Sequence, residues 1–299
     1  MKKVSVIIPT YKRAAFLTRA IDSVLASTYE NVEIIVVDDN NAGDEYRLET
    51  EKEMNDRYSG NEKVLYLQHP VNKNGSAARN TGIRVASGDY IMFLDDDDEF
   101  FPTKIEMQVR FLDAHPEYGV CYTKYIDVMK NGKIRKGVER RQGNLLVDEL
   151  SRNLFIHAGS NLMLRSYVVK EVNGFDESFA RNQDIEFLIR VLRSYRIGFV
   201  DCLGLKVYLH PKSNIDYNEV TKLFISTFKD DIDSLSDEDR KRALRMIGLQ
   251  LMRYNIGKRN FRKAIQVKKE YKIHLWLLTR YYCHLLKRAI TRTAYGFQA

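Results

Sequence analysis

Gly88-Asp89-Tyr90-Ile91-Met92-Phe93-Leu94-Asp95-Asp96-Asp97-Asp98 reads as a short buried strand, residues 90–94, that runs straight into four consecutive carboxylates. Working outward, the first hundred residues repeat one theme: β-branched runs of strand length alternate with helical patterns, the signature of parallel strands joined by crossover helices. Val4-Ser5-Val6-Ile7-Ile8 is the first strand. Phe16, Leu17, Ala20, Ile21, Val24 and Leu25 then recur at three- and four-residue spacing and place one apolar stripe on a helix. Residues 32–37 form a second strand that ends in Asp38-Asp39, and a polar, helix-compatible stretch continues to about Asp56. A third strand over 64–67 and a helix over 76–86 complete the series. The expected class is α/β with a mainly parallel sheet flanked by helices. In such open sheets ligands bind in the crevice at the carboxyl ends of the strands. Pro9-Thr10-Tyr11, Asp38-Asp39-Asn40 and the aspartate run should therefore open onto one edge.

After a helix over 103–114 the pattern loosens into shorter strands, with Asn131-Gly132 marking a hairpin turn between residues 125–129 and 133–136. A short helix over 167–172, a Gly174-Phe175-Asp176 turn and a helix over 184–194 follow, and a final β segment ends near Leu209-His210-Pro211. From Val220 onward only amphipathic helical patterns are expected. A boundary near residue 215 separates an α/β domain, 1–215, from a C-terminal helical region, 216–299.

Of the 299 residues, 44% are hydrophobic and 29% charged, with 5 prolines and 16 glycines, which excludes disordered, collagen-like and low-complexity chains. The net charge of +8 is unevenly spread. From Lys241 to the C-terminus 15 Lys and Arg face one acid, Glu270, a local balance of +14 that leaves the first 240 residues at −6. Cys121, Cys202 and Cys283 have neither metal-ligand nor disulfide spacing, which fits a reducing compartment. The apolar run Val4 to Ile8 is too short for a signal-peptide core. No stretch reaches the roughly 18 uncharged apolar residues of a membrane-spanning helix.

Four adjacent carboxylates at the mouth of a sheet repel one another, each pair by about 1 kcal/mol at ~4 Å even in bulk water. A cation relieves that repulsion, and oxygen ligands without His or Cys select Mg²⁺ or Mn²⁺, which bridges carboxylates to substrate phosphates. The competing reading is a solvated acidic loop that caps the next helix. A carboxylate at the position of Asp38-Asp39 commonly accepts from a ribose hydroxyl or base N–H, although Asp and Asn are also ordinary turn and cap residues there. Asn72-Lys73-Asn74-Gly75-Ser76-Ala77-Ala78-Arg79 puts small polar residues at a helix start, where free N–H groups favour anions, and Arg79 one turn further on.

Taken together, Val4-Ser5-Val6-Ile7-Ile8-Pro9-Thr10-Tyr11-Lys12-Arg13, Val36-Val37-Asp38-Asp39, Ala78-Arg79-Asn80-Thr81-Gly82 and the Gly88 to Asp98 segment resemble the inverting family 2 glycosyltransferases. The resemblance spans about the first hundred residues and continues more weakly to about residue 210. It implies a GT-A fold, with nucleotide-sugar binding over about 1–100 and the acceptor side over about 101–215. It further implies a nucleotide-sugar donor, usually UDP-linked, and a divalent metal, Mn²⁺ or Mg²⁺, on an Asp-x-Asp motif. By position, Pro9, Tyr11, Arg13 and Asp39 would contact the uridine, and Asn72 and Arg79 would support the nucleotide side. Asp95 and Asp96 would approach ribose and phosphates, and Asp97 would bind the metal, with the register uncertain by one residue. Asn74 stands where the family more often has glycine. Gly174-Phe175-Asp176-Glu177 followed by Gln183-Asp184 matches the region of the general base: Asp184 corresponds to the base, and Gln183 replaces the usual acid. Asp184 also suits a helix N-cap. His210 matches a position near the diphosphate or metal, and a lone His before Pro is equally a structural residue. His157, with Gly159-Ser160-Asn161, is a candidate for the acceptor side.

The implied activity is transfer of a sugar to a glycan or lipid-linked glycan acceptor in cell-surface polysaccharide biosynthesis. The expected location is the cytoplasm, peripheral on the inner face of the cell membrane. The basic tail suits an anionic membrane surface, with packing on the catalytic domain or on another subunit of a homo-oligomer as the alternative. A sugar-nucleotide nucleotidyltransferase would carry a Gly-rich basic loop after the first strand, absent here. A nucleic-acid-binding protein is disfavoured because the crevice is acidic and the basic residues lie on a separate apolar-rich tail.

Overall fold

The computed structural model describes residues 1–179, 182–210 and 216–298. In chain order it begins β1 (Val4–Thr10), α1 (Ala14–Leu25), β2 (Val32–Asp38), α2 (Glu45–Tyr58), β3 (Val64–Gln68), α3 (Gly75–Val85), β4 (Tyr90–Phe93), β5 (Glu99–Phe100) and α4 (Lys104–Ala114). It continues β6 (Tyr118–Val128), β7 (Ile134–Gly137), α5 (Leu146–Leu150), α6 (Ala158–Asn161), β8 (Met163–Arg165), α7 (Ser166–Glu171), α8 (Gln183–Ser194) and β9 (Arg196–Tyr208). The last elements are α9 (Tyr217–Thr227), α10 (Lys229–Ser234), α11 (Asp237–Gly257), α12 (Phe261–Glu270), α13 (Leu275–Thr291) and β10 (Thr293–Ala294).

The chain divides into two compact units. The first comprises Met1–Ile134, Arg140–Asn144 and Ile156–Leu209, and the second Arg135–Glu139, Leu145–Phe155 and His210–Ala299. Pro211 and the boundary expected near residue 215 lie outside the described residues.

In the first unit the strands run in the order β6-β8-β4-β1-β2-β3. β1 lies parallel to β2 and β4, and β2 parallel to β3, so that Thr10, Asp38 and Gln68 fall in register at one edge. β8 is antiparallel to both β4 and β6. This is the mainly parallel α/β arrangement expected from the alternating pattern. Val4, Val6, Ile7 and Ile8 of β1 and Ile34, Ile35, Val36 and Val37 of β2 are buried on both sheet faces, which is why these strands read as continuous apolar runs. Of the expected stripe of α1, Leu17, Ala20, Ile21 and Val24 are buried, each large aliphatic side chain contributing about 1.5–3 kcal/mol, whereas Phe16 is exposed and Leu25 half-buried. α3 approaches the sheet so closely at Gly82 that a Cβ there would lie 2.4 Å from Ile7 Cγ2.

The second half of this unit differs from expectation. Instead of short strands it contains β6, 11 residues long, and β9, 13 residues long, paired in parallel with register shifts around Thr123 and Lys124. Polar residues inside these strands disguise their period. Thr123 Oγ1 donates to Asn161 Oδ1 at 2.7 Å, and the buried Asp127 meets His157 Nε2 at 2.9 Å. The Asn131-Gly132 turn is in place: Gly132, at φ +74°, donates to Met129 O, and Met129 N donates to Lys133 O.

The second unit is built on α11, whose Ala243, Met246, Ile247, Leu249, Leu251 and Met252 are buried. Gln250 Nε2 donates to Ser151 O at 3.1 Å. The expectation of helices alone beyond Val220 is corrected by β10, which pairs in parallel with residues 136–137. Asn153 fastens the same terminus, donating to Phe297 O at 2.7 Å and accepting from Phe297 N at 2.8 Å. Among the described residues no helix is long and apolar enough to cross a membrane.

Candidate active site

At the carboxyl edge of β1, β2 and β4 lies a cavity of about 680 Å³ lined by Pro9, Tyr11, Arg13, Asp39, Asn72, Arg79, Asp95, Asp96 and Asp184, together with Thr10, Lys12, Asn74, Gly75 and Gln183. Nine candidate residues from five separate stretches of sequence thus share one concave surface. Asp97 is placed beside it. His210 belongs to the second unit and is exposed.

The β1 end contributes a loop in which Lys12 takes the left-handed conformation, φ +59°, with its N–H donating to Asn40 Oδ1 at 2.9 Å. That bend leaves Tyr11 40% exposed at the cavity. At the β2 end the two aspartates separate in role. Asp38 is buried against Arg47, Nε to Oδ2 2.9 Å, and accepts from Tyr66 Oη at 2.6 Å and Asn40 N at 2.8 Å. Asp39 turns toward the cavity but is also held. Its carboxylate accepts from Lys73 N at 2.8 Å, Asn74 N at 2.9 Å and Asn72 Nδ2 at 2.8 Å, and meets His69 Nδ1 at 2.7 Å. His69 continues to Thr81 Oγ1 at 2.8 Å. Asp39 therefore shapes the 72–74 loop of the cavity wall.

Asn74 occupies φ +88°, a region that favours glycine. It offsets that strain by capping α3, its Oδ1 accepting from Ala77 N at 3.1 Å while Nδ2 donates to Glu177 O at 3.0 Å. The following Gly75 leaves room for Arg79 and Gln183, since a Cβ there would lie 3.0 Å from each side chain. Arg79 is nine-tenths buried and bridges the site: Nη2 donates to Asp95 Oδ1 at 2.5 Å and Nη1 to Gln183 Oε1 at 3.2 Å.

The aspartate run follows β4 as a turn closed by Asp98 N donating to Asp95 O at 3.0 Å. Asp96 accepts from Thr10 Oγ1 at 2.7 Å and Arg13 Nη1 at 3.2 Å, and Arg13 Nη1 also donates to Asp97 Oδ2 at 2.6 Å. Burial pushes the Asp96 carboxyl up to about 7, with Thr10 and Arg13 opposing and the neighbouring aspartates reinforcing the rise. Burial and the charge of Asp95 hold Asp98 well above the usual carboxylate range. Asp95, Asp97 and Asp98 each present an oxygen, all within 4.8 Å of one another. A cluster of hard oxygens of this kind, with Asp97 and Asp98 buried, fits a divalent cation such as Mg²⁺ or Mn²⁺.

Asp184 stands in the first turn of α8, with Gln183 beside it. Burial raises its pKa, the charge of Asp95 adds to the rise, and Arg79 opposes it. A carboxylate elevated in this way and lining the cavity suits the abstraction of a proton. Away from the cavity, His157 is at φ +53°, bonded to Asp127 and set edge-on to Tyr125 with ring centroids 4.4 Å apart.

His69 was missed in the sequence although its place, one residue beyond β3, puts it on the same edge as Asp39. Ser160 was legible only as a neighbour of His157. Its hydroxyl accepts from Asp95 N at 3.0 Å and so fixes the start of the acidic turn.

Comparison with known proteins bears on the family and the fold. An uncharacterised glycosyltransferase of Rickettsia bellii is 34% identical over 214 residues, covering 69% of this chain and 30% of that protein. The chain thus spans about a third of the length of that relative. The amylovoran biosynthesis glycosyltransferase AmsB of Erwinia amylovora is 29% identical over 226 residues, 73% of this chain and 70% of that one. Among solved structures, S. aureus TarS 1–349 in complex with UDP-GlcNAc superposes with a TM-score of 0.63 at 21% identity, covering 85% of this chain and 72% of that chain. The shared fold is GT-A. The family model for glycosyl transferase family 2 matches residues 5–172, more than half of the sequence, and the chain belongs to that family.

Proposed function

We propose that this glycosyltransferase is metal-dependent and inverting, and moves a sugar from a UDP-sugar to a glycan or lipid-linked glycan acceptor in cell-surface polysaccharide biosynthesis. The observation that carries the reading is the convergence on one cavity of a strand-end loop for a nucleotide, an acidic turn for a cation and an elevated carboxylate for a base. The named activity of AmsB supports the polysaccharide role, and the UDP-GlcNAc bound to TarS supports the donor class. Family membership sets aside the nucleotidyltransferase and nucleic-acid-binding readings.

Pro9, Tyr11 and Arg13 line the end assigned to the uridine, with Asp39 and Asn72 fixing the loop that closes it. Asp97, with Asp95 and Asp98, would hold Mn²⁺ or Mg²⁺, which when bound supplies positive charge to the departing diphosphate. Arg79, shared between Asp95 and Gln183, adds a fixed cation on the same side. Asp184 takes the proton from the acceptor hydroxyl. The hydroxyl oxygen then bonds to the anomeric carbon as the bond from that carbon to the diphosphate oxygen breaks. Attack opposite the leaving group inverts the configuration. Because Gln183 is neutral, Asp184 keeps its elevation from burial and Asp95 alone and is not raised further by an adjacent acid. The basic C-terminal unit supports a peripheral position on the inner face of the cell membrane.

A thermal-shift panel of nucleotide sugars with Mn²⁺ tests the donor assignment. A ligand at 100 times its Kd stabilises by about 2.7 kcal/mol. A rise in Tm with at least one UDP-sugar is expected, and no rise with any of them contradicts the assignment.

A further inference from the structure

α13 is mounted by one side only. Leu277 and Tyr281 are buried, with Tyr281 edge-on to Phe297 at 5.5 Å, His284 edge-on to Tyr295 at 4.8 Å, and Arg288 over Phe155 at 4.4 Å. At 100° per residue these four side chains share one arc. The opposite arc carries Leu275, Tyr282, Leu286 and Ile290, exposed by 69%, 36%, 61% and 74%, with Trp276, exposed by 67%, at its margin. No charged residue falls within that arc. The helix contains only three charged side chains, Arg280, Lys287 and Arg288, all basic and all placed toward the flanks or the mounting side. A helix held along one arc that turns an opposite, apolar arc to water, bordered by cations, has the form of an interfacial helix.

We infer that this face of α13 is the surface through which the C-terminal unit lies on an anionic membrane, a reading that rests on the peripheral location proposed above and gives it an element and an orientation. Charge selects the occupant. The 15 Lys and Arg against one acid from Lys241 onward are attracted to an anionic leaflet. A second copy of residues 241–299 would bring the same excess of positive charge against itself. At 17 residues α13 is about 25 Å long, and it lies along the surface with Trp276 at headgroup depth.

Trp276 is the single tryptophan of the chain, so intrinsic emission above the tyrosine background reports this face. The purified chain is titrated with phosphatidylcholine vesicles with and without phosphatidylglycerol, and binding is read by Trp emission and by co-sedimentation. The expected result is a shift to shorter wavelength and sedimentation with the anionic vesicles only, both reversed by raised ionic strength. Leu286→Glu and Ile290→Glu, at exposed positions, should each lower the vesicle partition at least about tenfold with an unchanged circular dichroism spectrum. Absence of binding overturns the inference. So does sedimentation without an emission change, or an emission change that follows protein concentration in the absence of lipid, which would mark self-association. Hydrolysis of UDP-sugars measured without vesicles separates a failure of this surface from a failure of the catalytic reading.

Discussion

The carboxylates that end β2 and those that follow β4 lie on one edge of one sheet, and their surroundings differ in kind. Asp38 and Asp39 are met by donors built into the fold: Arg47, Tyr66 and Asn40 for the first, His69, Asn72, Lys73 and Asn74 for the second. Asp95, Asp96 and Asp97 instead pair with arginines from two other stretches of the chain, Arg13 and Arg79. Burial lifts Asp96 and Asp98 far above ordinary carboxylates. The first set spends its charge on holding a loop. The second, whose Asp96 and Asp98 are raised by burial, is the site proposed above for a cation. Residue type and position in the sheet do not distinguish the two; the identity of the groups that surround each does.

Four substitutions break or sharpen that contrast. Asp184→Asn, which removes the proposed base, should lower kcat by about 10²–10⁴-fold with Tm unchanged; rates in single-turnover assays check it. Asp38→Ala strands Arg47 in the interior and should cost about 3–5 kcal/mol of stability, read by urea unfolding. If Asp38→Ala left stability intact, the structural assignment of the β2 end would fail. Asp39→Asn puts an amide N–H against donors that need an acceptor. A penalty of about 1–3 kcal/mol should appear as a roughly tenfold rise in the KM for donor with little change in kcat. The smallest effect concerns pH. Asp184 is raised by burial and then by Asp95, and as the proposed base it would have to be ionised, so activity should fall as pH drops through its elevated pKa. Asp95→Asn removes the like charge and should move the acid limb of kcat/KM to lower pH, whatever the residual rate.

Much of this was legible in the sequence because the first four strands obey the rules plainly. Their apolar runs are uninterrupted, and each ends where its polar residues begin, so Pro9, Asp39 and Asp95 could be assigned to one edge. β6 and β9 were obscured because Thr123, Lys124 and Asp127 sit inside strands, with partners such as Asn161 and His157 far away in sequence. Lys104 shows the same difficulty. It starts an ordinary amphipathic helix, yet it is fully buried, donates to Asn161 Oδ1 at 2.6 Å, and is pushed by burial down to about 7. No local pattern announces that. Asn74 is a milder case: its cap and its positive φ are individually familiar, but only the fold reveals that one residue supplies both. The Asp39–His69 pairing is consistent with strand-end position, but His69 precedes Pro70 and by local pattern resembles a loop residue.

The contrast between the two strand ends is tested most directly by titrating the chain with Mn²⁺ in the presence of UDP, following free Mn²⁺ by electron paramagnetic resonance. Wild type and Asp38→Asn should take up one ion with equal affinity, whereas Asp97→Ala should lose it. Equal uptake by Asp97→Ala, or loss of the ion in Asp38→Asn, would contradict the account.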